Sequence, residues 1–496
     1  MYFKDLTSSP LWPLAVLLIS VLFIILAIAK FRMHAFVALI CASLLAGVAA
    51  NKETWDVVQK DGQIKSMPGL VGVVELTAKG LGDTARDIAI SIAFASIIGM
   101  CLMESGAADK VVRRFLAFFG YKNAGWALLW STYLLSIPIF FDTMFMLMVP
   151  LAQALARRTG KDYMLFAMCT ACGGVITHSM TIPHPGPLAM VDELQVDTGL
   201  SLVAGLLGGL IPAVVGYYFC VWANSRSTTM PSAGVSANEM EVEESKLPSF
   251  LASVMPVILP IVLIGFSSLM QIVANGAFKE GAKMAWCEGI VNAMGLELFT
   301  NIRGAVDFIG HKNIALLIGA GISVLVLLRQ KGISLHGLER LIGQPLETAG
   351  MIILITSAGG AFGFMLRTVG VGTAVEQLAS GREVNLIILA WVVASVIRVA
   401  QGSATVAILT TAGMVKGMLD TSMGVHPVYI YLAIGWGAMF GSWMNDSGFW
   451  VVSRLGGFTQ KETLQSWSVM LCVLSVTGLV TTLIASWILP LSVVAP

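Results

Sequence analysis

The sequence predicts an all-α integral membrane protein with two inverted-topology repeats, broken helices and roughly 10–14 spanning segments. Three observations predict this fold: an unusually apolar composition, apolar runs along the whole chain, and a weak internal repeat. Of the 496 residues, 56% are hydrophobic and only 12% are charged, and the mean hydropathy is +0.83. An ordinary soluble domain is about a quarter charged, so lipid must cover much of this surface. The formal net charge of +1 argues against a nucleic-acid partner.

Apolar runs of roughly membrane-spanning length begin near the N-terminus. Residues 11–29 are followed by Lys30 and Arg32 rather than by a cleavage site, so we interpret this run as a membrane helix and not as a signal peptide. Several of the later runs are shorter than the ~17–25 residues of a full crossing, which requires tilted, re-entrant or broken helices. The later runs are 33–50, 88–103, 124–137, 143–156, 164–180, 200–222, 249–274, 313–328, 349–366, 384–399, 403–419, 428–441 and 465–489.

The polar stretches between these runs predict the orientation. Lys and Arg cluster at 110–114, 157–161 and 329–340, on the side that Lys30 and Arg32 assign to the cytoplasm. The loops 181–199 and 420–427, which are assigned to the outside, contain neither residue. Both termini are therefore expected outside, with residues 225–245 as a polar linker between two halves and 275–312 as a mixed loop.

An internal repeat relates residues 81–106 to residues 345–370 at an offset of 264, matching for example Gly99 with Gly363. The first copy is predicted to start outside the membrane and the second inside, which makes the repeat inverted. Such architectures place substrate and ion sites at broken helices near the midplane. The predicted parts are N-terminal membrane helices and a loop (1–72), a first repeat (73–225), a linker with connecting membrane helices (226–335), and a second repeat with a C-terminal helix (336–496).

Four segments combine Pro, Gly or small polar residues with costly polar side chains at apparent membrane depth: 137–143, 177–187, 398–405 and 442–448. A charge at the bilayer centre costs at least ~2.5–3.5 kcal/mol, and non-helical backbone there must be buried in protein or line a watery cavity. We therefore predict that the four segments form the edges of one polar cavity.

These segments also carry a family resemblance. The strings THSMTIPHPGP (177–187), RVAQGSAT (398–405) and NDSGFW (445–450) resemble signature stretches of the gluconate permease (GntP) family, within the ion-transporter superfamily. The resemblance extends from about residue 73 to the C-terminus, and the chain is longer than the family pattern near 51–70 and 271–312.

The resemblance implies a secondary transporter that imports gluconate or a related small sugar acid, or D-serine, by proton symport. It further implies re-entrant hairpins, a scaffold with an elevator-like moving domain, a homodimer, and location in a bacterial inner membrane. No cofactor is expected besides the coupling ion, which is H⁺ or alternatively Na⁺.

The second half supplies most of the predicted substrate contacts. Arg398 offers a bidentate donor pair for a substrate carboxylate, although it could instead anchor a helix end. Gly402 would let the backbone approach the ligand, whereas Ser403 and Thr405 either bind hydroxyls or cap a half-helix. Asn445, Asp446 and Ser447 add an amide, a carboxylate and a hydroxyl, and the alternative for Asn445 and Asp446 is a structural bond to the opposite hairpin.

The first half completes the predicted site with Thr177, His178 and His184, each of which could instead be a satisfied core residue. Proton coupling needs a group that gains and loses a proton within the cavity, and we predict Asp142, Asp446 or His178 for this role.

Competing classes of function are less well supported. A membrane enzyme could use His178, Ser179 and Asp142, but no nucleophile elbow or zinc-ligand helix accompanies them. A channel would need a repeated ring of pore-lining residues, and no P-loop indicates ATP-driven pumping. Cys169-x-x-Cys172 lies in an apolar run without further ligands, so we expect no metal site. The chain is therefore predicted not to be an enzyme.

Overall fold

The computed structural model of the chain describes residues 9, 11–58, 63–227, 229–230, 243–278, 285–333, 335–371, 373–374, 385–419, 425–444 and 446–491. Among these residues, seven helices are long and apolar enough to span a membrane, and four shorter apolar helices accompany them. The predicted all-α membrane fold is confirmed.

The N-terminal part contains two helices and a β-hairpin: α1 (Trp12–Ala29), α2 (Ala35–Ala49), β1 (Thr54–Val58) and β2 (Ile64–Pro68). The two strands pair antiparallel, with Thr54 opposite Pro68. The hairpin lies within residues 51–70, where the sequence was expected to be longer than the family pattern. Trp55 attaches it to the helices, because its side chain is 2% exposed and fills the space beside Gly72.

The first half contains eight helices. They are α3 (Gly69–Glu104), α4 (Ala107–Phe119), α5 (Ala124–Leu135), α6 (Phe141–Thr159), α7 (Tyr163–Met180), α8 (Pro185–Leu194), α9 (Thr198–Gly208) and α10 (Leu210–Ser225). Helices α5 and α6 form a helical hairpin with its tip at 136–140, and α7 and α8 are separated by a break at 181–184. Pro185 opens α8, and His184 before it is extended, as the residue before a proline prefers.

The connecting region contains α11 (Phe250–Phe278), α12 (Ala285–Met294), α13 (Leu296–Gly310) and α14 (Lys312–Lys331). The prediction of a mixed loop at 275–312 is therefore wrong. The charges that suggested a loop belong to an amphipathic helix, in which Arg303 pairs with Asp307 one turn later at 3.3 Å. Phe299 of the same helix is 1% exposed, within a small apolar cluster of its own.

Over the described residues, the second half follows the order of the first without a counterpart of α4: a long helix, a helical hairpin, an interrupted helix and a terminal helical segment. Its helices are α15 (Leu335–Val369), α16 (Leu386–Gln401), α17 (Ala404–Leu419), α18 (Pro427–Gly437), α19 (Ser447–Gly456), α20 (Gln460–Thr463) and α21 (Val469–Ile488), with a π-helical turn at Leu464–Ser468. The hairpin tip is Gly402-Ser403, and the break lies at 438–446. The opposite orientation of the two repeats and the four-part boundaries stay predictions.

The long helices α3 and α15, which contain the repeated segments, pack against each other, and Thr84 fills the space beside Gly360. Helix α2 joins them through Ser43, whose hydroxyl lies 3.0 Å from the Thr77 hydroxyl. Helix α17 rests on α15 where Gly363 and Gly413 face each other with no side chain between them. The second hairpin is thereby held against the long helices.

Candidate functional site

The tip of the second hairpin is shaped by Gly402 and Arg398. Gly402 adopts φ +82°, a left-handed conformation that glycine accepts without steric cost, and it ends α16. Its carbonyl accepts a hydrogen bond from Nη1 of Arg398, one turn earlier. The Ser403 hydroxyl accepts from the Val406 amide at 3.3 Å as α17 begins. The tip therefore carries a guanidinium that is folded back onto its own backbone.

Asp446 binds this guanidinium from the break in the second half. Its Oδ2 accepts from Nη2 of Arg398 and from the Ser442 hydroxyl, and its Oδ1 accepts from the Gly448 amide at 3.1 Å. The Trp467 indole donates to the Ser442 hydroxyl at 2.9 Å. Arg398 and Asp446 are only 4% and 7% exposed. Asp446 is thus both the N-cap of α19 and one half of a buried ion pair.

The first half places two histidines beside its own hairpin. His184 Nε2 lies 2.5 Å from the Ser136 carbonyl at the hairpin tip, and the ring is 2% exposed. The His178 ring lies 4.3 Å from the His184 ring, centroid to centroid, and Phe140 packs against both. His178 Nδ1 is buried and has no hydrogen-bond partner among the described residues.

Contacts between the halves bring all four interruptions together. The Tyr431 hydroxyl on α18 donates to the Met180 carbonyl, the last of α7, at 2.7 Å. Gly186 at the start of α8 packs against Thr405 on α17. Phe141 and Trp467 stack with ring centroids 5.1 Å apart. The arrangement places His178 within electrostatic range of Arg398, and Asp142 within range of Asp446.

Asp142 differs from the other carboxylate of the site. It lies in the first turn of α6, its side chain is exposed, and it makes no hydrogen bond or ion pair within the described part of the chain. Ser447 is exposed, and Ser403 and Thr405 are half-buried. The site therefore presents one free carboxylate and several hydroxyls beside a buried ion pair, with Nε of Arg398 buried and unpartnered among the described residues.

The structure brings together most of the residues that the sequence predicted for this site, but it changes what some of them can do. Arg398 is bound by Asp446, a structural contact between the second hairpin and the break in the same half. Thr177 is fully buried, with its hydroxyl directed to the carbonyls of its own helix. His184 is occupied by Ser136. Asn445 lies outside the described residues.

Ser442, Trp467, Tyr431 and Ser136 were missed by the sequence interpretation. Ser442 lies in the quoted segment 442–448, and its position four residues before Asp446 was a usable signal. Trp467 and Tyr431 lie in apolar runs, and no sequence pattern indicated that they belong to the site. Over the residues that the structure describes, no group of three or more His, Cys, Asp or Glu side chains is placed to hold a metal ion.

A membrane-embedded helical fold in which hairpin tips and broken helices gather around a polar site defines a multi-pass membrane transporter. Residues 12–488 match the sequence model of the GntP family permeases. The chain belongs to this family.

The chain is 31% identical to the gluconate permease of Pseudomonas aeruginosa, over 95% of this chain and 97% of that one. It is 28% identical to the low-affinity gluconate transporter (94% and 96% covered) and 26% identical to the Gnt-II system L-idonate transporter (94% and 97% covered), both of Escherichia coli K12.

Solved structures with a similar fold are also transport proteins. MtrF of Neisseria gonorrhoeae, described within a class of antimetabolite efflux pumps, has a TM-score of 0.61 and 14% identity, covering 93% of this chain and 96% of its own. The YdaH transporter of Alcanivorax borkumensis has a TM-score of 0.54 and 12% identity, covering 92% and 98%. At these identities the likeness extends to the fold alone.

Proposed function

We propose that the protein is a secondary active transporter that imports gluconate or a similar small hydroxy acid by proton symport. Its membership of the GntP family and relatives named for gluconate and L-idonate support this substrate class. We further propose an elevator-type motion, a homodimer and location in a bacterial inner membrane, and we propose that the chain performs transport and no enzymatic reaction.

The observation that carries the proposal is the unpartnered carboxylate of Asp142 beside the buried Arg398–Asp446 pair. The pair is neutral overall, so ionised Asp142 leaves the site with net negative charge and repels an anionic substrate. A proton on Asp142 removes that repulsion. Binding of the substrate and of the proton is then positively coupled: a proton on Asp142 raises the affinity for the anion, and the bound anion raises the affinity of Asp142 for the proton.

The substrate's own groups have complementary partners in the site. Its carboxylate would approach Arg398, whose Nε–H has no partner among the described residues. Its hydroxyls would contact Ser403, Thr405 and Ser447, and His178 Nδ1 supplies one further polar atom. Asp446 is engaged by three donors, which makes Asp142 the better proton carrier.

Sodium coupling is the alternative for the same fold. Sodium would need oxygen ligands, and backbone carbonyls beside Gly402 or Gly448 could supply them. The Gly402 carbonyl accepts a hydrogen bond from Arg398, so it is already used within the hairpin. This contact favours the proton over the cation.

The test is uptake of radiolabelled gluconate by proteoliposomes under either a pH gradient or a sodium gradient. We expect accumulation with the pH gradient only, with competition by idonate and a weaker effect of D-serine. Asp142→Asn should abolish pH-driven accumulation but retain gluconate exchange at equal pH, because the substrate contacts remain. Asp56→Asn, an exposed carboxylate on β1, is the matched control. Accumulation driven by sodium, or unaltered pH-driven accumulation in Asp142→Asn, would contradict the proposal.

A further inference from the structure

A large open cavity lies on the side of the molecule that the distribution of Lys and Arg assigns to the cytoplasm. Its volume is about 1770 Å³, and its walls come from α4, α6, the start of α11 and the end of α14. Six cationic and three acidic side chains line it. The cations are Lys110, Arg113, Arg114, Arg157, Lys246 and Lys331. The lining therefore carries an excess of three positive charges.

Arg113 and Arg114 supply two of these six cations. Neither enters a hydrogen bond or an ion pair within the described ranges, whereas Lys110 is bound by Glu244 at 2.8 Å and Lys331 by Glu104 at 3.5 Å. The exposed Glu244 carboxylate senses the positive electrostatic potential of these cations through its pKa. Its pKa is lowered first by the hydrogen bond from Lys110 and then by the charges of Lys110, Arg113 and Arg114.

Helix α6 connects the cavity with Asp142. Asp142, Met146 and Pro150 recur every four residues, so they lie along one face of the helix. Met146 and Pro150 line the cavity, and Met146 is 52% exposed. Asp142 is also exposed and lies one turn before Met146, about 6 Å along the helix axis. The exposed face of α6 therefore extends from the cavity towards the candidate site.

We propose that this cavity is an anion-concentrating vestibule, in which Arg113 and Arg114 raise the local concentration of small organic anions at the inner end of the path to Asp142. Clefts lined by one sign of charge concentrate ligands of the opposite sign and raise their association rates by ~10–10³ at low ionic strength. That the physiological anion is a hydroxy acid rests on the proposed function. The preference of the cavity for anions is independent of the proposed function.

The proposal is tested with a thiol at Met146, whose reaction needs no transport. Met146→Cys in inside-out vesicles is treated separately with an anionic and a cationic methanethiosulfonate, and each rate is divided by that reagent's rate with free 2-mercaptoethanol. Modification is read on the peptide containing residue 146 by mass spectrometry, with the natural chain as the background. Ala154→Cys, on the same cavity wall, serves as a second reporter if Met146→Cys fails to insert.

We expect the anionic reagent to react about tenfold faster than the cationic one at low salt, with the ratio approaching one near 1 M salt. Arg113→Gln with Arg114→Gln should lower the ratio about fivefold. Arg86→Gln, which removes an exposed arginine that does not line the cavity, should leave it unchanged. A ratio near one at low salt, or one unaffected by the double substitution, would overturn the proposal.

An anionic lipid head group is the competing occupant. It would slow both reagents in vesicles rich in phosphatidylglycerol relative to phosphatidylcholine vesicles, and that result would also overturn the vestibule. Selective labelling without gluconate uptake would reject the proposed substrate and keep the vestibule. Gluconate uptake without selective labelling would reject the vestibule and keep the proposed substrate.

Discussion

Two carboxylates of this site, Asp446 and Asp142, have different surroundings. Asp446 is buried and bound by Arg398, Ser442 and the Gly448 amide. Asp142 is exposed and lacks a bound partner in the described structure. Asp446 holds the second hairpin to the broken helix, whereas proton exchange by Asp142 stays a proposal. Residue type alone does not separate the two, because both are aspartates in polar interruptions of apolar runs.

Asp446→Asn should destabilise the protein strongly. Removing one partner of a buried ion pair leaves an uncompensated charge and costs ~3–5 kcal/mol. We expect a clearly lower melting temperature in detergent, measured by the loss of the monodisperse size-exclusion peak after heating. Ser447→Ala, the exposed neighbour, is the control and should melt like the natural chain.

A second variant separates stability from transport. Arg398→Met combined with Asp446→Leu replaces the pair by apolar groups of similar size, which is often neutral for stability. It should recover much of the melting temperature and still fail to transport. A single Asp446→Asn variant that melts like the natural chain would show that the ion pair contributes little.

The site was predictable where polar residues interrupt apolar runs. Arg398 and Asp446 were visible because a charge at membrane depth needs a partner, yet the sequence did not show that they are each other's partner, 48 positions apart. Trp467 and Tyr431 are ordinary residues of apolar helices, and only tertiary packing gives their N–H and O–H groups partners, in Ser442 and in the Met180 carbonyl. Pairings across the chain are set by tertiary structure and leave no local pattern.

At the scale of elements, close backbone contact fixes the first hairpin against the first broken helix. Gly173 on α7 faces the Leu129 carbonyl and the Tyr133 amide of α5, so no side chain fits between the two helices. Small residues at such crossings let membrane helices approach closely. The crossing lies about one turn before His178, and it therefore sets the distance at which His184 meets Ser136.

Gly173→Ala should separate α5 from α7. A methyl group forced into a packed crossing costs ~1–3 kcal/mol, and we expect a lower melting temperature together with reduced uptake. The matched control is Gly82→Ala on α3, where a methyl group would meet nothing within 4 Å. Equal melting temperatures for the two variants would mean that the crossing tolerates the added volume.

Helix order was predictable at this scale, whereas some element types were not. The breaks at 181–184 and 438–446 follow from Pro and Gly within polar strings. The two helices within 285–310 escaped prediction because their charges lie on one face of short amphipathic segments. Arg367 near the end of α15 donates to Glu193 at 2.6 Å, a contact between distant elements that no local pattern predicts.

At the scale of the whole molecule, the side opposite the vestibule is joined by ion pairs between distant parts of the chain. Glu193 at the end of α8 contacts Arg367 on α15 at 2.6 Å and Lys416 on α17 at 3.8 Å. The neighbouring Asp192 contacts Lys312 on α14 at 2.8 Å. These pairs connect the first half with the connecting helices and with the second half, while the vestibule leaves the opposite side open.

If transport alternates between states open to either side, these pairs stabilise the state seen in this structure. Glu193→Gln weakens two of them at partly buried positions, worth ~1 kcal/mol together, which changes a two-state ratio about fivefold. The labelling rate of Ser403→Cys from the outer side, with an impermeant reagent, is proportional to the population of the outward-open state. We expect that rate to rise about fivefold in the Glu193→Gln background.

The control is Asp83→Asn. It removes the Lys79–Asp83 pair, which lies within α3 and joins no separate elements, so it should leave the rate unchanged. An unchanged or slower rate in the Glu193→Gln background would show that the ion pairs do not hold this side closed.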